Sequence, residues 1–253
     1  MSTSTIYLIT GASRGIGLAI VRELCARFTS NLVIVAGVRN PSNVPLLDEV
    51  SAKYPGVIDV VQYVAADLDN SKALAQHVQK KYGRVDVVIP NAGIANYYGP
   101  VAEIPLNEMR EHWEVNALGP LILFQTLLSL LKASPNPKFI PISSGAASSM
   151  YYDTPLIQAC YGSSKAVINF ITKKINFENE WITAFPLAPG VVATDMAKET
   201  RAKDHTGIIA KIQDEMSVSM EVGGRMLVDI IFASTRATHG GEFINVDGSK
   251  LPW

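Results

Sequence analysis

The chain has 253 residues, 48% of them hydrophobic, and a formal net charge of −1. That length suits one large α/β domain that buries its core without disulfides or metal, and the balanced charge gives no electrostatic reason to expect nucleic acid. Cys25 and Cys160 stand far apart and outside any CxxC pattern, so neither a disulfide framework nor a zinc site organises the fold.

In chain order, short β-branched runs alternate with helical stretches. TIYLIT (5–10) reads as a strand and 15–28 as a helix, followed by a strand at 31–37 and a helix at 42–54. The next pairs are a strand at 57–65 with a helix at 70–82, and a strand at 85–90 with a long helix at 106–133. Strands at 138–143, 181–187 and 242–246 alternate with helices at 161–177 and 221–234. Near-continuous hydrophobic strands are those of a parallel sheet covered on both faces. The fold class is therefore α/β: a single Rossmann-type domain over 1–253, a doubly wound parallel sheet of about seven strands with helices on both faces. The stretch 195–219 reads as a substrate lid with a short helix. The helix 106–133 is apolar nearly all round, which suits burial in the monomer or, with 161–177, a homo-oligomer contact.

MSTSTIYLITGASRG is neither a basic n-region nor a long apolar segment, the apolar runs read as too broken to cross a bilayer, and the final LPW matches no retention signal. The expectation is a cytoplasmic protein with no membrane partner.

Gly11, Gly15 and Gly17 in TGASRGIG follow a strand and open a helix. That context suits a pyrophosphate, because glycines permit close backbone approach and the helix N-terminus offers N–H donors. At the end of the second strand, AGVRNP has Arg39 where an acid would hold a ribose hydroxyl. Arg39, with Arg14 in the loop, suits a 2′-phosphate, so the cofactor expected is NADP(H). In YGSSK (161–165), Tyr161 and Lys165 are one helical turn apart, and an ammonium beside a phenol lowers its pKa toward that of a working acid.

These motifs, with Asp67-Leu68, Asn91-Ala92-Gly93, Asn116 in WEVNALG, Ser143-Ser144 and Pro189-Gly190-Val191-Val192-Ala193-Thr194, resemble the short-chain dehydrogenase/reductase family over essentially the whole chain. SSGAAS and the terminal DGSKLPW look most like its sniffer-type carbonyl reductases and norsolorinic-acid ketoreductase-like proteins. The resemblance implies an oxidoreductase acting on a small carbonyl or alcohol substrate. Tyr161 would be the general acid and Lys165 its pKa partner and a ribose contact. Ser144 would bond the substrate carbonyl, and Asn116 would complete a proton relay. Cofactor contacts are implied for Gly11, Ser13, Arg14, Gly15, Ile16, Gly17, Arg39 and Asn40, and for Asp67 and Leu68 on the adenine side. Asn91, Ala92, Gly93, Pro189, Gly190, Val192 and Thr194 would complete them.

Ser144 precedes Tyr161 by 17 positions, a longer gap than is common in the family, so Ser143, Ser148 and Ser149 stay as alternatives. Tyr97-Tyr98, Tyr151-Tyr152 and Trp253 suit a pocket for a hydrophobic or aromatic carbonyl compound. The histidines His77, His112, His205 and His239 show no metal-ligand spacing and read as solvated, with His205 in the lid the one placed to meet substrate. NAD-linked alcohol oxidation and a non-catalytic dinucleotide sensor are the competing readings.

Overall fold

The computed structural model describes residues 4–28, 30–150 and 156–253. The strands are β1 (Thr5–Thr10), β2 (Leu32–Val38), β3 (Ile58–Gln62), β4 (Val87–Ile89), β5 (Lys138–Phe139), β6 (Thr183–Ala184), β7 (Leu187–Ala188) and β8 (Ile244–Asn245). The α-helices are α1 (Gly15–Arg27), α2 (Pro45–Lys53), α3 (Leu68–Tyr82), α4 (Leu106–Trp113), α5 (Gly119–Lys132), α6 (Ala159–Glu178), α7 (Asp195–Lys203), α8 (Ile208–Met216), α9 (Met220–Ala233) and α10 (Arg236–His239).

The first six strands form a parallel sheet in the order β3-β2-β1-β4-β5-β6, with Thr5 opposite Leu32 and Thr10 opposite Gly37. The expected strands 138–143 and 181–187 are each interrupted at a proline, Pro141 and Pro186, whose missing N–H cannot serve a ladder. Pairing nevertheless continues past the breaks. Leu187 N–H donates to Pro141 O at 3.0 Å, and Ile142 bridges Leu187. β7 thus prolongs the line of β6, and its parallel partner β8 takes a seventh position across the sheet.

Side chains alternate across β1, and each set meets its own helices. Tyr7 and Ile9 join Leu24 of α1, Leu47 of α2 and Leu227 of α9. Ile6 and Leu8 join Leu74 of α3, Leu127 of α5 and Ile175 of α6. This two-sided burial is why the strands lack polar alternation. Both cysteines are fully buried, Cys25 among the first set. The order reverses between β1 and β4, so the loops leaving their carboxyl ends diverge and open a crevice there.

The expected helix 106–133 is not one regular helix. A π turn at Glu114–Leu118 separates α4 from α5. Pro120 has no N–H for the carbonyl of Asn116 four residues back, and Gly119 N–H reaches instead to Glu114 O, five back. Leu106–Lys132 is long and apolar enough by composition to cross a membrane, contrary to the expectation of broken apolar runs. Half of its most apolar stretch is buried, with Leu123, Leu127, Leu130 and Leu131 in the core. The stretch 195–219 contains two helices, α7 and α8, joined by an Arg201–Asp214 ion pair at 2.6 Å.

α9 packs on α1 closely enough that a Cβ on Gly224 would lie 2.8 Å from Ala19 O. That neighbour is backbone and cannot yield. We expect Gly224→Val to cost about 1–3 kcal/mol of stability, read as a lower urea midpoint with an unchanged slope.

Candidate active site

The glycine loop is held by contacts a side chain would destroy. Gly11 has φ +66° and Gly15 φ +55°, conformations that favour glycine. A Cβ on Gly17 would lie 2.3 Å from Gly11 O and 2.7 Å from Asn91 Nδ2. Asn91 ties this turn to β4: its Nδ2 donates to Thr10 O at 3.0 Å and Gly11 O at 3.3 Å, while the N–H groups of Asn91 and Ala92 both donate to Thr10 Oγ1 at 3.0 Å. α1 opens at Arg14 without a side-chain cap, so its first N–H groups and positive dipole end face the loop. Ala12 N–H donates to Gly37 O at 3.3 Å, which sets the loop beside the turn carrying Arg39. Arg14, Arg39 and Asn40 are exposed, as are Asp67 and Leu68; Asp67 caps α3 by accepting Asn70 N–H at 2.9 Å. A loop with glycines at its close approaches, an uncapped helix N-terminus and two exposed guanidinium groups fit a dinucleotide phosphate chain.

On the other side of the crevice, Asn116 sits in the π turn at 1% exposure. Its Oδ1 accepts Ile94 N–H at 2.8 Å, and its Nδ2 donates to Ile94 O at 2.9 Å and Ser164 Oγ at 3.0 Å. Ser164 Oγ in turn donates to Tyr161 O at 2.7 Å. Asn116 therefore links the loop after β4 to α6. A Cβ on Gly93 would lie 2.9 Å from Asn116 Oδ1 and 3.5 Å from Lys165 Nζ, so this glycine gives the pair its room.

Tyr161 and Lys165 share a face of α6, with the amine 5.7 Å from the ring centroid. Lys165 Nζ donates to Ile142 O at 2.8 Å. Burial pulls Lys165 down to about 8 and pushes Tyr161 up to about 12, the latter opposed by a hydrogen bond from Ser144 and assisted by the nearby Tyr98. The expected lowering of Tyr161 by its lysine is thus overturned: the ammonium is turned to a backbone carbonyl, and desolvation of the phenolate outweighs the remaining effects.

Ser144 reaches Tyr161 despite the long gap in sequence because α6 packs onto its turn. A Cβ on Gly162 would lie 2.6 Å from Ala146 O. Ser143 is turned away and bonds Asn169, Ser149 Oγ donates to Trp253 O, and Ser148 accepts Met150 N–H. Of the four serines, Ser144 faces the phenol.

A cavity of about 200 Å³ runs from Ile16 and Thr194 beside the glycine loop to Ser144 and Tyr161, past Gly190 and Val192. Met196 of α7 and Ile209, Ile212 and Met216 of α8 line it from the 195–219 stretch. Tyr98 OH bonds Thr200 Oγ1 at 2.5 Å and Lys203 Nζ donates to Asn96 O at 3.2 Å, seating α7 on the loop after β4. Gly190 (φ +68°) makes the turn that leads into Val192, and Thr194 caps α7 through Ala197 N–H at 3.1 Å.

Several expectations about the wall are corrected. Tyr98 lines the cavity, but Tyr97 does not and bonds Glu103 O instead. Trp253 packs on Phe243 and Lys173, and Tyr151-Tyr152 lie outside the described residues. His205 is exposed and does not line the cavity. His112 is not solvated but fully buried, accepting Asn96 N–H at 3.0 Å, and His77 pairs with Asp59 at 2.7 Å. The described residues contain no cluster of metal-ligating side chains. Gly162, Ser164 and the lid's apolar face escape the sequence reading; the spacing of Ile209, Ile212 and Met216 on one helical face is the available signal.

A family model described as short chain dehydrogenase matches residues 5–205. Norsolorinic acid ketoreductase of Aspergillus parasiticus is 34% identical over 258 aligned positions, covering 98% of this chain and 91% of that protein. Among solved structures, NADPH bound carbonyl reductase from chicken fatty liver superposes with a TM-score of 0.86 at 25% identity, with each chain covered in full (100%). Carbonyl reductase Sniffer of D. melanogaster shares the fold, with a TM-score of 0.85 at 22% identity over 99% of this chain and 100% of that one. The chain belongs to the short-chain dehydrogenase/reductase family, a family of oxidoreductases that bind a nicotinamide dinucleotide.

Asn116→Ala would strand the N–H and C=O of Ile94. We expect a loss of about 2–4 kcal/mol in chemical denaturation, from two hydrogen bonds with partly buried partners left unsatisfied and a third, to the buried Ser164, lost with them. A loss below about 1 kcal/mol would show that Asn116 does not hold this junction.

Proposed function

We propose that this chain catalyses the NADPH-dependent reduction of a hydrophobic ketone or aldehyde to the alcohol. The observation that carries the reading is the Tyr161 phenol, bonded by Ser144, in an apolar cavity continuous with the glycine loop. The dinucleotide, when bound, supplies the hydride. Gly11, Ser13, Arg14, Gly15, Ile16 and Gly17 hold its phosphates, with Arg39, Asn40, Asp67 and Leu68 on the adenine side. Asn91, Ala92, Gly93, Lys165, Pro189, Gly190, Val192 and Thr194 hold the nicotinamide half.

Tyr161 gives its proton to the carbonyl oxygen as charge develops there, and Ser144 donates a hydrogen bond to the same atom. A phenol raised to about 12 stays protonated at neutral pH, which suits an acid in the reductive direction. Lys165, one turn on along α6 and with Asn116 near it, stabilises with its positive charge the phenolate left when the proton goes to the substrate. The absence of an acid after β2, with the exposed Arg14 and Arg39, supports NADPH over NADH. The carbonyl reductase from chicken fatty liver is itself NADPH bound, in keeping with that choice. Self-association belongs to the same reading: Phe170 and Phe177 stand 65% and 63% exposed on α6, with Trp113 and Leu118 exposed beside the π turn. A second copy would cover them.

Consumption of NADPH with aromatic ketones, diketones, quinones and aldehydes tests the reading, run beside NADH and beside Tyr161→Phe. We expect turnover to fall by about 10²-fold or more in the phenylalanine variant while cofactor affinity is kept. Equal use of NADH would instead give the NAD-linked enzyme, and binding without turnover the sensor.

The pH profile tests the lysine. Lys165 carries its charge below a pKa of about 8 and loses it above, whereas Tyr161 is protonated throughout. The rate of reduction should be level below that value and fall about tenfold per pH unit above it. A profile without a break there would remove the Lys165 charge from the reaction.

A further inference from the structure

The inner face of α8 carries Ile209, Ile212, Gln213 and Met216 into the cavity, so one carboxamide stands on a helix face that is otherwise apolar. Its orientation is settled by its partner: Gln213 Nε2 donates to the Ala197 carbonyl of α7 at 2.8 Å. A carbonyl oxygen accepts and cannot donate, so the nitrogen must face it and Oε1 is left as an acceptor with no protein partner among the described residues. Gln158, three positions before Tyr161, and Asn245 also bring carboxamides to the cavity; that of Asn245 is bonded to Asp247, whereas the Gln158 side chain likewise has no protein partner among the described residues. A polar group set in an apolar wall is costly to desolvate unless the ligand completes its hydrogen bonds.

Resting on the carbonyl-reductase reading, we infer that Gln213 accepts a hydrogen bond from a hydroxyl group that the substrate carries apart from its reacting carbonyl, and that Gln158 takes a further polar group of the same molecule. The substrate class is therefore an apolar, hydroxylated carbonyl compound. Specificity within that class is set by Gln213, a group that takes no part in proton or hydride transfer. A site that asks for a hydroxyl rejects its deoxy analogue because the protein acceptor is then left unpaired.

The test uses the full chain with NADPH, α-tetralone, and the hydroxytetralones bearing the hydroxyl at each ring position. These are bicyclic ketones of a size to suit a cavity of about 200 Å³. Turnover and calorimetric binding are both measured, for the native protein, Gln213→Leu and Gln158→Leu. At least one hydroxy isomer should exceed α-tetralone by about tenfold in kcat/KM or affinity, and Gln213→Leu should bring that ratio close to one. Any disturbance of the lid through the lost Ala197 bond lowers both compounds together and leaves their ratio unchanged, so the ratio isolates the hydroxyl contact. An unchanged ratio in Gln213→Leu, or no isomer preferred by the native chain in either measurement, overturns the inference. Preferential binding lost in Gln213→Leu, without turnover of any ketone, would keep the inference and remove the reductase.

Discussion

The carboxyl end of the sheet depends on a seam between two strands whose following loops run in opposite directions. A reversal of strand order opens a crevice for a ligand, and for the same reason leaves backbone ends without neighbours. Here Thr10 and Asn91 close the seam. One hydroxyl accepts two N–H groups and one carboxamide donates to two carbonyls across it. The glycines are a consequence. With Asn91 lying against the turn, there is no volume for a Cβ at Gly17, and scarcely any at Gly11. The cradle is shaped by packing from behind as much as by whatever occupies its front.

The second half of the site shows the same economy of parts. A proline placed four residues after Asn116 widens one helical turn, and the asparagine there joins the loop after β4 to the helix of Tyr161 and Lys165. Both of those ionisable groups are buried, and burial pushes each toward its neutral form: the phenol keeps its proton and the amine holds its own less firmly. The difference between the two affinities is thereby altered in the direction that leaves the phenol the stronger holder of a proton. A positive charge brought next to the phenol would move that balance back toward the phenolate.

How much of this is legible in the sequence depends on how local the cause is. β1, β2 and the glycine loop can be read because buried parallel strands and a βα turn each leave a contiguous signature. The Tyr161–Lys165 spacing is equally plain, but its electrostatics are not. The sign of a pKa shift depends on how much water surrounds the group, and a helical period does not report that. The strands at 138–143 and 181–187 read too long because apolar runs hide the effect of a single missing N–H. The break at Asn116 is hidden by the apolarity around it, although Gly119-Pro120 is a visible cue. Aromatic pairs suggest the cavity wall, and Tyr98 alone of the described ones lines it. Much of the apolar wall comes from α7 and α8, whose inward face follows from where α7 docks, a long-range contact.

The buried cysteines have a consequence for chemical durability. Cys160 directly precedes the proposed acid, yet it lies on the closed side of α6, fully buried, with its thiol pushed up by desolvation; Cys25 is likewise pushed up to about 11. Thiolates, not thiols, attack electrophiles. Quinones and unsaturated aldehydes alkylate proteins through such thiolates, and this chain keeps both of its sulfurs protonated and out of contact with solvent. An oxidoreductase built in this way offers such electrophiles no exposed thiolate, whatever else on its surface they meet.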